Sequence, residues 1–460
     1  MKKYILMYVI CAFWGSTLAW GAPASKPAPA SDHGGFSLKQ TAESVMVNHR
    51  TIKSMQESRE AASYDVDRAK AGYGPRVDVS SKSGGNALNT STYRRLNEEG
   101  RFYGAYEAGV TVTQPVWDGL ATRSRVRATQ ATLDSMNERV FDNATTLGLD
   151  GIIAHIDLLR NRQLVALAEA NVRRHEEILA SSRDRQSMGA DTAADVSQTE
   201  ARLSRARSTL ASTQAALQQA EDTYRRLTGQ PVPLLQAAAH PPLLFTSEKA
   251  VLERAMKHNP KIKATAADVR AAEGNKELAE SAFHPVINVE GGAYTTDRGG
   301  DNEDYTSTLE VMGTVKWNVF NSGADAAAVR AAKARIRQSR QIMANQWDDI
   351  KLEVRKTWAD YQSAKAQQTF YAQAVTFNTN TRDAYMEQFL MGQRSLLDVL
   401  DAENELFNSS TQAETMHGNV LIAEYRLHAL SGTMLADMHV NTAALGKAPV
   451  PEQKPLMDFR

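Results

Sequence analysis

The chain of 460 residues has one cysteine, Cys11, and no excess of charge, with 53 Lys+Arg against 53 Asp+Glu. Each lack excludes something. Cys11 falls inside a stretch that reads as a secretory signal peptide, residues 1–24: Lys2 and Lys3 precede an apolar run from Ile5 to Leu18, and small residues follow at Ala19, Gly21, Ala22 and Ala24. Cleavage after Gly21 or after Ala24 fits, and either leaves a chain without thiols. That excludes disulfides, thiolate metal sites and cysteine nucleophiles. Ile10 before Cys11 is not the small residue that a lipoprotein cleavage site needs. Balanced charge gives no case for nucleic acid, and no phosphate-cradling loop or zinc spacing occurs. The ten histidines form no H-x-x-x-H or H-E-x-x-H pattern, so no metal or cofactor site is expected. After the signal peptide no run of about 18 apolar residues appears, so no membrane helix is expected. A β-barrel stays open, because its signal per strand is weak. Proline is missing from Pro115 to Pro231 and again from Pro285 to Pro449, and aromatics are 7% of the chain. Long, closely packed helices suit both facts.

What is present is a duplication. Ile52 in "NHRTIKS" matches Ile262 in "NPKIKAT", and Pro75 matches Pro285, both 210 residues apart. From "QPVWDG" (Gln114 to Gly119) and "WNVFNS" (Trp317 to Ser322) onward the spacing is 203, and it holds for Gly189/Gly392, Asp195/Asp398, Glu200/Glu403 and Gly229/Gly432. The offset changes once, by seven residues, between Pro75 and Gln114. The expected division is a linker at 25–36, repeat 1 at 37–234, a linker at 235–247, repeat 2 at 248–436 and a loosely structured tail at 437–460.

Each repeat has one plan. A helical stretch (Leu38 to Tyr73; Glu248 to Phe283) ends at a proline, which favours extended backbone before it. Two strands follow. From Tyr305 to Phe320, the residues Tyr305, Leu309, Val311, Val315, Trp317 and Val319 alternate with Thr306, Thr308, Glu310, Thr314, Lys316 and Asn318, a period-two pattern with one apolar face. A helix of about 70 residues comes next, on the order of 100 Å if unbroken, with Gly148 and Gly151 as expected weak points midway in the first. Gly189 and Gly392 turn the chain into return helices that end at Gly229 and Gly432. A helix of that length belongs to a wall or a coiled coil. Four strands cannot close a membrane barrel, whose practical minimum is about eight. The pattern therefore predicts an exported, oligomeric tube embedded in part in a membrane, with polar strand faces on water and apolar faces on lipid.

At this point "VWDGLATRSRVRATQ" and "YMEQFLMGQRSLLDVLDAENELF" identify a resemblance to the TolC family of outer-membrane channels, over almost the whole chain after the signal peptide, with wording most similar to its type I secretion (adhesin exporter) members. The resemblance implies a mainly α fold with a membrane β-barrel: duplicated β-α repeats forming a trimeric 12-stranded barrel in outer-membrane lipid, joined to a long periplasmic α-helical barrel. It implies a homotrimer, a periplasmic adaptor (membrane fusion protein) and an inner-membrane ABC or proton-driven transporter as partners. The function expected is an exit duct for type I secretion. A multidrug or metal efflux pump is the alternative within the family, and a periplasmic coiled-coil scaffold the alternative outside it. The amphipathic strands speak against the scaffold.

No catalytic residue is expected. Asp398 and Asp401 stand one turn apart on one helix and point the same way, unlike a pair that flanks a substrate. Ser395 with Asp398, and Thr192 with Asp195, have the form of capping boxes. Asp401 has Gln198 as its repeat counterpart and needs another reason. The resemblance supplies one: Asp398 and Asp401 would line the periplasmic constriction, six carboxylates in a trimer, favouring cations. It also implies Arg394 and Asp195 as latches between neighbouring hairpins. Phe389 stands where the best-known members carry a tyrosine, so a phenol hydrogen bond is lost there. The tips Met188-Gly189-Ala190 and Met391-Gly392-Gln393 are the expected adaptor-docking points. Trp117 and Trp317 are candidates for an aromatic belt at the membrane interface.

Overall fold

The computed structural model describes residues 35–87, 94–95, 100, 102–242, 245–297 and 305–446. The signal peptide, nearly all of the first linker and residues 447–460 of the tail lie outside the described residues, as do most of the first strand-connecting loop and all of the second.

The duplication is visible element by element. Repeat 1 contains α1 (Leu38–Asn48), α2 (Arg50–Lys70), β1 (Arg76–Ala87), β2 (Phe102–Trp117), α3 (Ala121–Ser187) and α4 (Ala193–Thr228). Repeat 2 contains α5 (Glu248–His258), α6 (Pro260–Glu280), β3 (Val286–Asp297), β4 (Tyr305–Lys316), α7 (Ala324–Leu390) and α8 (Leu396–Ser431), followed by α9 (Met434–Asp437). The paired helices have equal lengths: 11, 21, 67 and 36 residues. Residues 88–101 join β1 to β2 and residues 298–304 join β3 to β4, which accounts for the change of offset.

Two boundaries differ from the expectation. The stretches Leu38 to Tyr73 and Glu248 to Phe283 are each broken in two. His49 and Asn259 leave the helical conformation (ψ 126° and 120°), and their side chains accept from the N–H of Thr51 (3.3 Å) and Lys261 (2.9 Å) to start new helices. Asn259-Pro260 was the readable signal, a cap followed by proline at the first helical position. The strand expected to reach Phe320 stops at Lys316, which pairs with Val286. The next partner would be Pro285, which has no N–H to extend the ladder. Trp317 instead donates its indole N–H to the Phe283 carbonyl (3.1 Å).

Each long helix is continuous, about 100 Å at 1.5 Å per residue. Gly148 and Gly151 do not weaken α3. They are buried, and a Cβ on Gly151 would come within 2.7 Å of Val45 Cγ2, so this glycine lets α1 approach α3.

The main core lies where α1, the start of α2, α3 and α8 meet, around Ala42, Ile52, Val140, Ile152, Leu421 and Tyr425. The tail is part of it, contrary to expectation: Val440 and Leu445 are buried there, and Arg59 of α2 donates to the carbonyls of Leu445 and Gly446. Apolar residues spaced through a short segment were enough to anchor it. The inter-repeat linker is pinned at the same level, with Gln236 O on His155 Nε2 (3.0 Å) and the Tyr425 hydroxyl donating to Ala239 O (2.9 Å).

Candidate functional site

The strands form one antiparallel sheet of order β1-β2-β3-β4, with β1 and β4 unpaired at its edges. The register puts Val77, Val112, Gly291 and Val311 in one row, and Val79, Val110, Ala293 and Leu309 in the next, all on one face. Leu309 is 86% and Val311 77% exposed. The other face carries Arg76, Asp78, Lys82, Glu107, Glu290, Glu310 and Lys316. Water on both sides would make no use of such an apolar face; lipid on one side and water on the other would. Trp117 and Trp317 stand at the helical end of the sheet, both exposed, and Tyr106 and Tyr305 at the far end. The stretch between is about 35 Å of strand, close to the height of a membrane barrel's apolar band once the strands tilt. Among the described residues no helix is long and apolar enough to cross a membrane.

The opposite end of the molecule carries the helical tips. Gly189 (φ +78°) and Gly392 (φ +74°) adopt left-handed backbone, which lets the N–H of Ala190 and Gln393 close onto the carbonyls of Arg185 and Gln388 (2.8 Å each). Met188 and Met391 project beside them, 74% and 63% exposed.

Asp195 completes a capping box: it accepts from the Thr192 N–H (2.9 Å), while Thr192 Oγ1 accepts from the Asp195 N–H (3.2 Å). The hydroxyl and the backbone N–H of Thr192 hold the Asp195 carboxyl below the usual range. Ser395 Oγ likewise accepts from the Asp398 N–H (3.2 Å) and donates to its carboxylate (2.8 Å). Arg394 lies 3.7 Å from Asp398 on the same hairpin and stacks on Tyr385, 3.9 Å from the ring centre. Within the chain, then, Arg394 and Asp195 are engaged inside their own hairpins.

Other residues join the two hairpins. Arg202 of α4 pairs with Asp401 of α8 (2.9 Å). Glu403 of α8 is 5% exposed and lies 3.3 Å from both Arg174 of α3 and Arg382 of α7. Burial raises its pKa, against the opposing pull of the two guanidiniums. Phe389 is 2% exposed, packed with Ile178, Leu396, Val399 and Leu400, and the Arg185 guanidinium covers its ring at 4.6 Å. It is an apolar anchor between hairpins and does not line an open surface. Lacking a hydroxyl, it can be sealed without an unsatisfied group. Asp398, Asp401 and Glu405 share a shallow groove of about 300 Å³ with Asn378, Thr381 and Tyr385. Among the described residues no cluster of His, Cys, Asp or Glu could hold a metal.

Arg202, Arg174, Arg382 and Tyr385 went unread in the sequence. Glu403 left a trace: Leu396, Val399, Leu400 and Glu403 follow one helical stripe, which puts a carboxylate at a core position.

A protomer with one lipid-compatible sheet face, two open strand edges and two helices of about 100 Å, each folded back at its tip into a shorter return helix, is the building unit of an oligomeric outer-membrane channel with a periplasmic tunnel. The chain belongs to the outer membrane efflux protein family, the TolC-like channels, whose profile matches residues 42–230 and 251–433, one match in each repeat. Among its relatives, the outer membrane efflux protein BepC of Brucella suis biovar 1 is 25% identical over 391 residues, covering 85% of this chain and 84% of that protein. The alkaline protease secretion protein AprF of Pseudomonas aeruginosa is 24% identical over 379 residues, covering 80% and 78%. A crystal structure of CusC superposes with a TM-score of 0.75 at 18% identity, covering 86% of this chain and 92% of that one, and shows the shared fold.

Proposed function

We propose that three copies of this chain form the exit duct of a type I secretion system, receiving cargo from an inner-membrane ABC transporter through a periplasmic adaptor. The observation that carries the duct is the sheet. Its edges are open, one face is apolar and the other charged, and it continues into helices long enough to cross a periplasmic gap. Likeness to AprF, named for protease secretion, supports the secretion role. The second reading, the outer component of a drug or metal efflux pump, has the efflux protein BepC on its side and uses the same duct. The chain would be exported by residues 1–24 and work as repeats 37–234 and 248–436.

In this reading the duct is passive. The adaptor docks at the two tips around Met188 and Met391, and docking moves the hairpins apart. The pairs Arg202–Asp401 and Arg174–Glu403 separate, and the groove lined by Asp398 and Asp401 widens. The part-exposed pair Arg202–Asp401 contributes about 0–1 kcal/mol and yields readily, whereas Arg174–Glu403, with its carboxylate buried, is the stiffer contact that docking has to overcome. Trp117 and Trp317 sit at the periplasmic interface of the membrane.

The test is Asp401→Asn in planar bilayers. It removes a pore carboxylate and the partner of Arg202, so cation preference should fall and resting conductance should rise. Unchanged selectivity would remove Asp401 from the pore. A wild-type chain that is released without detergent and forms no channels would overturn the duct itself.

A further inference from the structure

In the described strands only Gly109 and Gly292 are buried, although the sheet is otherwise open on both faces. What buries them is one side chain. Tyr294 stands opposite Gly109 across the β2–β3 ladder and two residues beyond Gly292 on its own strand. Its ring leans back over Gly292, and its hydroxyl lies 3.2 Å from Thr111 Oγ1 on β2. A Cβ on Gly109 would fall 2.6 Å from Tyr294 Cδ1, and a Cβ on Gly292 would fall 2.5 Å from Cζ. Glycine inside a strand commonly marks such a close approach, and an aromatic lying across it restores the lost packing.

The face involved is the charged one, shared with Glu107, Glu290 and Glu310. A tyrosine there would normally stand away from the sheet and reach into the lumen. We propose that Gly109 and Gly292 form a bed that holds Tyr294 flat against the inner wall, and that this sets the bore of the barrel at that level. The inference rests on the duct reading, which makes the charged face the lumen. The bed is not a by-product of the duplication. At the register of 210, Gly84 stands in place of Tyr294 and Lys82 in place of Gly292; at 203, Met312 stands in place of Gly109. Each chain therefore carries one such ring, at the seam between its repeats, and a trimer carries three.

The three atoms nearest a Cβ on Gly292 all belong to the Tyr294 ring, the mobile end of a side chain. An alanine there displaces the ring and not the strand. At Gly109 the Ala293 carbonyl oxygen is also close, 3.2 Å away, so Gly292 gives the cleaner substitution.

The experiment compares wild-type protein, Gly292→Ala, Tyr294→Ala and the double variant as assembled channels in planar bilayers. It measures the size cut-off for polyethylene glycols added from the outer side, which reads the barrel bore independently of the periplasmic tips. Gly292→Ala should lower the cut-off, and Tyr294→Ala should return the double variant to the wild-type value or above it. An unchanged cut-off in Gly292→Ala, or a fall of equal size with and without Tyr294, would overturn the proposal. If wild-type protein forms no channel at all, it is the duct reading that fails.

Discussion

Glu403 is a charge almost sealed from water, held between Arg174 of one hairpin and Arg382 of the other. Its pKa is raised by burial, while Arg382 and Arg174 oppose the shift and Asp383 adds to it. A raised carboxyl binds its proton more readily in the folded protein. Its contribution to stability is therefore complete below the ordinary glutamate value of about 4.3 and is lost as pH rises through the folded value. Acidification thus neutralises Glu403 without unfolding the tip through this group, and it frees both guanidiniums. Resting conductance should rise as pH falls toward that raised value, and Glu403→Gln should be leaky at neutral pH with a flatter pH profile. Removing one partner of a buried pair costs up to about 3–5 kcal/mol, so Arg382→Ala should loosen the tip by more than Arg202→Ala, whose partner Asp401 is 59% exposed. Bilayer conductance against pH checks this, and a Glu403→Gln channel with the wild-type profile would refute it. The capping roles of Ser395 and Thr192 were legible because a cap is local. The partners of Asp401 and Glu403 were not: Arg202 lies 199 residues from Asp401 and Arg382 21 residues from Glu403, and whether they meet depends on the phase of one long helix against another.

The ends of the hairpin helices were readable almost to the residue, since a hairpin tip and a helix end each need a left-handed glycine. Gly189, Gly229, Gly392 and Gly432 all show positive φ. Glycine was misleading inside α3, where the same residue type serves close packing. Gly148 and Gly151 look alike in the sequence but differ in surroundings. A Cβ on Gly148 would make ordinary contact with Leu435 and Met434, at 3.4 and 3.6 Å, whereas one on Gly151 would strike Val45 at 2.7 Å. Gly148→Ala should be neutral or stabilising by up to about 1 kcal/mol through helix propensity. Gly151→Ala adds about 1–3 kcal/mol of overpacking and should be net destabilising. Thermal unfolding of the two variants in detergent separates them, and equal melting temperatures would contradict the packing described for α1 against α3.

At the scale of the whole molecule, the paired helices of the two repeats match in length but not in burial. Helix α3 buries 23 residues and α7 only 8. Ile342, Leu352, Phe370 and Phe377 of α7 stay more than half exposed. The sheet shows the same incompleteness, since β1 and β4 have open edges that a soluble protein would blunt or cover. Both features are satisfied together if copies assemble side by side, α7 against the next copy's helices and β4 against the next copy's β1. The alternation that assigns the faces then has an energetic consequence. Val311 lies midway between Tyr305 and Trp317 on the apolar face, and Met312, its neighbour in sequence, on the charged face. An arginine on the lipid face at the bilayer midplane costs about 2–4 kcal/mol per chain, and one in the lumen costs little. Val311→Arg should therefore lower the yield and unfolding resistance of the assembled channel in lipid. Met312→Arg should assemble normally and shift selectivity toward anions. Comparable losses from both substitutions would mean that the sheet does not divide lipid from water.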